Sequence, residues 1–439
     1  MNKITMGLVG IIALSAVSCK KNLESADNKS LQATPYGGLG PVTLSGAITA
    51  NRTLSQDTTY LIDGKVFVAG GATLTIQPGT LLKGVSKASA LDASALVVTR
   101  GAKIDAQGTA DAPIIFTSNE AAPAPGDWGG VVLLGKAPIN KPDTLIEGID
   151  NNIHLPGNLT LDSVRYGGNV ANDNSGILKY VRIEYAGASI AANNELNSLT
   201  CGGVGNGTTL SYIEAYYGRD DSFEWFGGTV NADHLVAVAS DDDAFDTDFG
   251  FSGSISYAVS VLDPNKPSYS SNPNGLEADN DGTGSTATPY SFPKYDHLTI
   301  VGVENSTIAT AKALFNGAHF RRRTKLQVTN SIFIGFPTGI RFESDTTGAN
   351  AVNFKNNLVQ GFTADYILPT GYSVGTGNTS FVGNTSNANT NIELISPFDA
   401  ASFVPVIGSN ADSNPYKGAF DPYADQDWTF GWTNFAFIY

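Results

Sequence analysis

The chain has little cysteine: Cys19 and Cys201 are the only two in 439 residues. With Cys19 committed elsewhere, as argued below, no disulfide can form, and cohesion must come from packing. Basic residues are also scarce. Lys and Arg number 26 against 41 Asp and Glu, a net charge of −15, which argues against nucleic acid or anionic headgroups as partners and leaves cations and neutral or basic ligands. Apolar runs with helical spacing are nearly missing. No segment approaches the roughly 20 apolar residues needed to cross a bilayer. Histidine occurs four times, so any histidine among acids is informative.

The one sustained apolar stretch lies at the N-terminus. In "MNKITMGLVGIIALSAVSC", Lys3 precedes about 12 apolar residues, and the small Ala16 and Ser18 precede Cys19, the pattern of a secretory signal. Ala-Val-Ser-Cys resembles the lipobox of bacterial lipoproteins, which implies that residues 1–18 are removed and that Cys19 carries the lipid. Residues 19–42 are polar and Gly-rich, as suits a flexible tether. Residues 43–439 are then the folded part.

That part is repetitive. "DDSFEWFGG" at Asp220 to Gly228 returns about 22 residues later as "DDAFDTDFG" at Asp242 to Gly250. The segments before them, "LSYIEAYYG" and "ADHLVAVAS", are both short and rich in strand formers. A unit of this length, holding two or three short strands and Gly/Asn/Asp turns, is one coil of a solenoid. The fold class expected is all-β: a single-domain right-handed parallel β-helix of such coils with capped ends. The aromatic segment "DWTFGWTNFAFIY" from Asp427 is the expected C-terminal cap. Residues 141–174 and 262–274 read as loops leaving the coils.

"LKYVRIEYAG", the stretch from "NNELNSLTCGG" to "DDDAFDTDFG" and the ending "YKGAFDPYADQDWTFGWTNF" resemble secreted β-helix lipoproteins common in Bacteroidota and other Gram-negative bacteria. The resemblance implies an outer-membrane protein held by its lipid. Members are sometimes labelled transporters, and some accompany TonB-dependent outer-membrane receptors. A lipoprotein without a membrane span cannot itself transport, so the implied partners are the outer membrane and a receptor of that kind.

Strand alternation places the chemistry. With Phe223, Phe245, Leu276, Ala318 and Ile340 pointing inward, the residues after them stack into an outer column: Glu224, Asp246, Glu277, His319 and Arg341, preceded by Thr200. A second column holds Phe226, Asp248, Asp279, Arg321 and Glu343. Coils about 4.8 Å apart put like charges close enough to repel by about 1 kcal/mol per pair in water and several-fold more when desolvated. A cation, the basic end of each column, a ligand or raised pKa values can offset this. Both columns are expected on an exposed face. They are the expected ligand-binding ladder, with Asp246, Asp248, Glu277 and Asp279 as metal ligands and Ca²⁺ as the cofactor. A glycan or cation-bridged ligand is the expected occupant.

A polysaccharide hydrolase or lyase using the same ladder is the alternative, and an accessory lipoprotein of a TonB-dependent receptor is a third. Polygalacturonase-like β-helices cluster Asp on one face with a His and a basic motif on later coils. Here His319 stands in "GAHF" rather than a Gly-His-Gly turn, and "GIRFES" lacks the Arg-x-Lys element, so no residue is assigned a catalytic role. "DNDGTGS" from Asp279 begins like a calcium loop, but Tyr290 holds its twelfth position where an acid is required. Cys201 reads as a core thiol. "DTL" at Asp143 and "DSV" at Asp162 resemble short O-glycosylation sequons of Bacteroidota.

Overall fold

Short β-branched and aromatic runs broken by Gly, Asn and Asp form strands that cannot bury a face alone, so they stack. The computed structural model describes residues 40–439, apart from 142–143, 150–152, 192–193 and 344–349. The expected signal peptide, Cys19, nearly all of the expected tether and Asp143 lie outside the described residues. Among those described, 26 strands join in one hydrogen-bonded parallel network. The fold is an all-β, single-domain parallel β-helix, as the repeat predicts.

Each coil feeds three parallel sheets. One is built from strands such as Lys65–Val68, Ala95–Val98, Gly130–Leu134, Leu199–Val204, Phe223–Gly228, Phe245–Asp248, Asn274–Ala278 and Asn316–Phe320; we call it the site sheet. The other two share long bent strands, among them Gly176–Glu184, Thr209–Tyr216, Ala232–Val238, Ser254–Val261 and Lys294–Val301. At the bend stand Tyr180, Tyr212, His234, Tyr257 and His297, all with φ between 50° and 56°. This left-handed turn is uncommon outside Gly. Repeated at the same place in these five successive coils, it stacks the rings on the outside, with centroids 4.5, 4.3, 5.3 and 5.2 Å apart.

The core follows the predicted register. Phe223 pairs with Phe245, Phe245 with Leu276, Leu276 with Ala318 and Ala318 with Ile340. All five are buried, and the Phe223 and Phe245 rings stack at 5.5 Å and 11°. The glycines ending the repeat have a steric reason. Gly228 and Gly250 have φ of 91° and 86°, and a Cβ there would sit 2.4 Å from the Val204 carbonyl oxygen or 2.6 Å from that of Pro289.

Two segments pack on the outside. Residues of the 141–174 loop, including Ile146, Ile149, Val164 and Tyr166, form an apolar layer with Val132, Leu134 and Phe226 on the outer face of the site sheet. The aromatic segment from Asp427 does not close the end of the solenoid. It runs back along the flank, where Trp428 and Trp432 meet the Tyr212 ring at 6.3 and 6.0 Å and the Asn434 amide donates to Glu214 at 2.8 Å. The expected cap is therefore a strap. Its Trp and Phe side chains find a partner in the aromatic column and the Val236, Val238, Val259 and Val261 face. Leu368 and Val374 instead pack against the core near its last coils.

Candidate functional site

The first outer column forms in the expected order. Thr200 pairs with Glu224, Glu224 with Asp246, Asp246 with Glu277, Glu277 with His319 and His319 with Arg341. In the second column Phe226 pairs with Asp248. The Asp279 amide reaches the Thr247 carbonyl at 2.9 Å, and those of Arg321 and Glu343 reach Ala278 and Phe320 at 3.1 and 3.0 Å, which continues the register.

The expected exposure is overturned. Glu277 and His319 keep 5% and 6% of their surface, Glu224 8% and Asp279 3%; Asp246 is half-buried, and Arg341 alone of the first column is open to water. Beside Glu224 the cause is the outer layer, where Tyr166 packs on Phe226 at 6.4 Å; Glu277 and His319 are enclosed by Arg321, Asn274 and Glu343. A glycan cannot lie directly on these acids.

The acids are also more numerous than the columns predict. Asp221, Glu224 and Asp246 form one group and Asp243, Asp246 and Glu277 another, each with ligand atoms within 4.8 Å; Asp220, Asp221 and Asp242 form a third. The Asp-Asp pairs come from the turns entering the site strands, one pair per repeat. Their recurrence was visible in the alignment of the two repeats, but strand alternation alone does not bring turn residues inward. The Asp243 amide donates to Asp221 at 2.8 Å, and Asn274 Nδ2 donates to Asp243 at 3.0 Å and Glu277 at 3.1 Å. Asn197 donates to Glu224.

Charge is balanced only at the lower end. Arg321 contacts Glu277 and bonds Asp279 at 3.2 Å, and Arg322 bonds Asp279 at 2.9 Å. His319 Nε2 lies 3.2 Å from Glu343, and its Nδ1 3.9 Å from Glu277. Asp221, Glu224, Asp243 and Asp246 make no ion pair among the described residues. Desolvation, then neighbouring carboxylates, raises Asp221, Glu224 and Asp243 well above the carboxylate range. Burial lifts Asp246 to about 6 although Arg321 opposes it. Asp248 is pushed to about 7, first by burial and then by Asp246. Glu147, from the covering loop, reaches about 7 by burial. Desolvation lowers His319, favouring neutral imidazole.

Two expected metal ligands stand apart from these groups. Asp279 is engaged by the two arginines, and Asp248 turns back to the Phe249 amide at 2.6 Å. In the loop from Asp279, Asp281 accepts from the Ser285 hydroxyl, from the Thr283 hydroxyl at 2.7 Å and from the backbone amides of both, and these bonds hold it down to about 2 despite some desolvation. Cys201 is buried, and desolvation raises its thiol far above the ordinary range. It is inert core, not a nucleophile.

A family model for pectate-lyase-like β-helix domains matches residues 46–433. The chain belongs to that family. No curated protein and no solved structure matches it. Within a pectate-lyase-like β-helix, the outer face of one sheet is where this chain gathers its acids, and a hard oxygen-liganded cation suits them. The carboxylates supply oxygen donors within the span that Ca²⁺ accepts. One oxygen of Asp246, the Thr200 hydroxyl and the Asn197 side-chain oxygen Oδ1 are buried there without a hydrogen-bond partner, a cost that coordination would relieve.

Proposed function

We propose that this protein is a lipid-anchored β-helix of the outer membrane that binds polysaccharide through a divalent cation held in its acidic column. The observation that carries the reading is that Asp221, Glu224, Asp243 and Glu277, all buried, gather in two groups around the half-buried Asp246, and that four of these five acids make no ion pair among the described residues. Four adjacent carboxylates repel strongly when desolvated. Ca²⁺, with its preference for six to eight oxygens, removes that repulsion and offers open coordination positions to an anionic sugar. Burial of the column favours a small ion inside and a glycan at the rim, where Arg341 is exposed and Arg322 and Glu343 are partly so. The family's pectate-lyase-like fold supports a polysaccharide as the partner class.

The test is binding of a uronic-acid polysaccharide and a neutral one to the purified protein, with calcium and with chelator. The reading expects retention of the acidic glycan only with calcium, and its loss in Asp246→Asn/Glu277→Gln. Equal binding with chelator contradicts it. Release of shortened or unsaturated sugars would move the assignment to the hydrolase or lyase alternative.

A further inference from the structure

The 262–274 loop leaves the solenoid between Ser254–Val261 and Asn274–Ala278 and carries Lys266, whose side chain keeps only 4% of its surface. Its ammonium lies over the Tyr269 ring at 4.7 Å and the Tyr217 ring at 5.8 Å. It donates to the Ala239 carbonyl at 3.0 Å and contacts Asp241 Oδ1. Asp263, fully buried, takes the Tyr217 hydroxyl at 2.5 Å on one oxygen and the Asn265 amide at 2.8 Å on the other. Its carbonyl accepts from the Lys266 amide at 3.3 Å and the Tyr269 hydroxyl at 2.9 Å. An amine lying over two aromatic rings is thus paired with a carboxylate, with a second carboxylate at the base of the same loop.

We propose that Lys266 and Asp241 are joined by an isopeptide bond. The ion pair contains every atom the reaction needs. The ammonium passes one proton to the Asp241 carboxylate, the neutral Nζ attacks its carbonyl carbon, and the C–O bond breaks as the hydroxyl leaves with a second Nζ proton. The products are one amide and one water, with no oxidation. Removal from bulk water favours the neutral amine and acid over the ion pair, and desolvation does lower Lys266. Asp263 holds the Tyr217 ring beside the amine through its hydroxyl. The bond would tie the loop to the preceding coil just ahead of Asp242 and Asp243, in a chain whose buried Cys201 has no disulfide partner.

Peptide mass spectrometry of the full-length protein tests this. Lys266 is followed by Pro267, which blocks trypsin, so one tryptic peptide, residues 220–294, holds both partners. It is expected to be one water lighter than its sequence, without backbone fragments arising between 241 and 266. Lys266→Arg should restore the full mass. A cyclic imide at Asp281-Gly282 also loses one water, but it would persist in Lys266→Arg and leave those fragments intact. A wild-type peptide of full mass overturns the proposal, as does a lighter one with complete fragments between 241 and 266; neither depends on how the variant folds.

Discussion

Phe245 and Asp246 are chain neighbours with opposite roles, and the contrast carries the register. Phe245 is enclosed by Phe223 and Leu276. Phe245→Ala should destabilise by about 3–5 kcal/mol through the cavity it leaves, read by denaturant titration; a loss under about 1 kcal/mol would mean the site tolerates collapse and the register is wrong. Asp246→Asn should leave the metal-free protein as stable as wild type or more so, since it removes a charge from a half-buried group of acids. The pH dependence has a definite sign. Asp246 at about 6 and Asp248 and Glu147 at about 7 are all raised by burial. The folded state therefore holds these protons more tightly than the unfolded chain. Their contribution is full below about pH 4 and is lost as pH rises through about 6 to 7. Metal-free protein should melt higher at about pH 5.5 than at about pH 8.5, and a flat or opposite trend would show that these acids do not control stability.

At the level of elements, the strap from Asp427 and the loop over the site sheet matter most, and both were poorly legible in sequence. The coils could be read because their period and alternation are local properties: Phe223 over Phe245 follows from two aligned repeats. Where Trp428 and Trp432 pack does not. The strap contacts Glu214, Tyr216 and Tyr217 across about 220 residues of chain, and nothing in its own pattern names that partner. The burial of Glu224 was missed for the same reason, since Tyr166 packs over that face from a segment read only as an excursion. The Asp220-Asp221 and Asp242-Asp243 pairs were plain in sequence, but their inward turn depends on loop geometry. Trp432 is fully buried and donates to the Trp428 carbonyl at 2.8 Å. Trp432→Ala should cost about 3–5 kcal/mol and expose the strap to limited proteolysis while the solenoid stays folded. Cooperative loss of the whole fold would make the strap part of the core.

On the scale of the whole molecule, an acidic solenoid with one buried cysteine and a candidate lipid site at Cys19 suits a protein held at a membrane by a single chain end. Cys19→Ala should release it from the membrane fraction or leave an uncleaved precursor; a mature-sized, membrane-bound variant would rule out lipidation there. The cation is the central claim, and thermal melts at fixed ionic strength test it most directly, comparing wild type with Asp246→Asn/Glu277→Gln, each with calcium and with chelator. A ligand that binds only the folded state raises its melting temperature by mass action. Calcium should therefore raise the wild-type melting temperature and leave the double variant unmoved. Equal calcium shifts in the two proteins, or no shift in wild type, would contradict a cation held by Asp246 and Glu277.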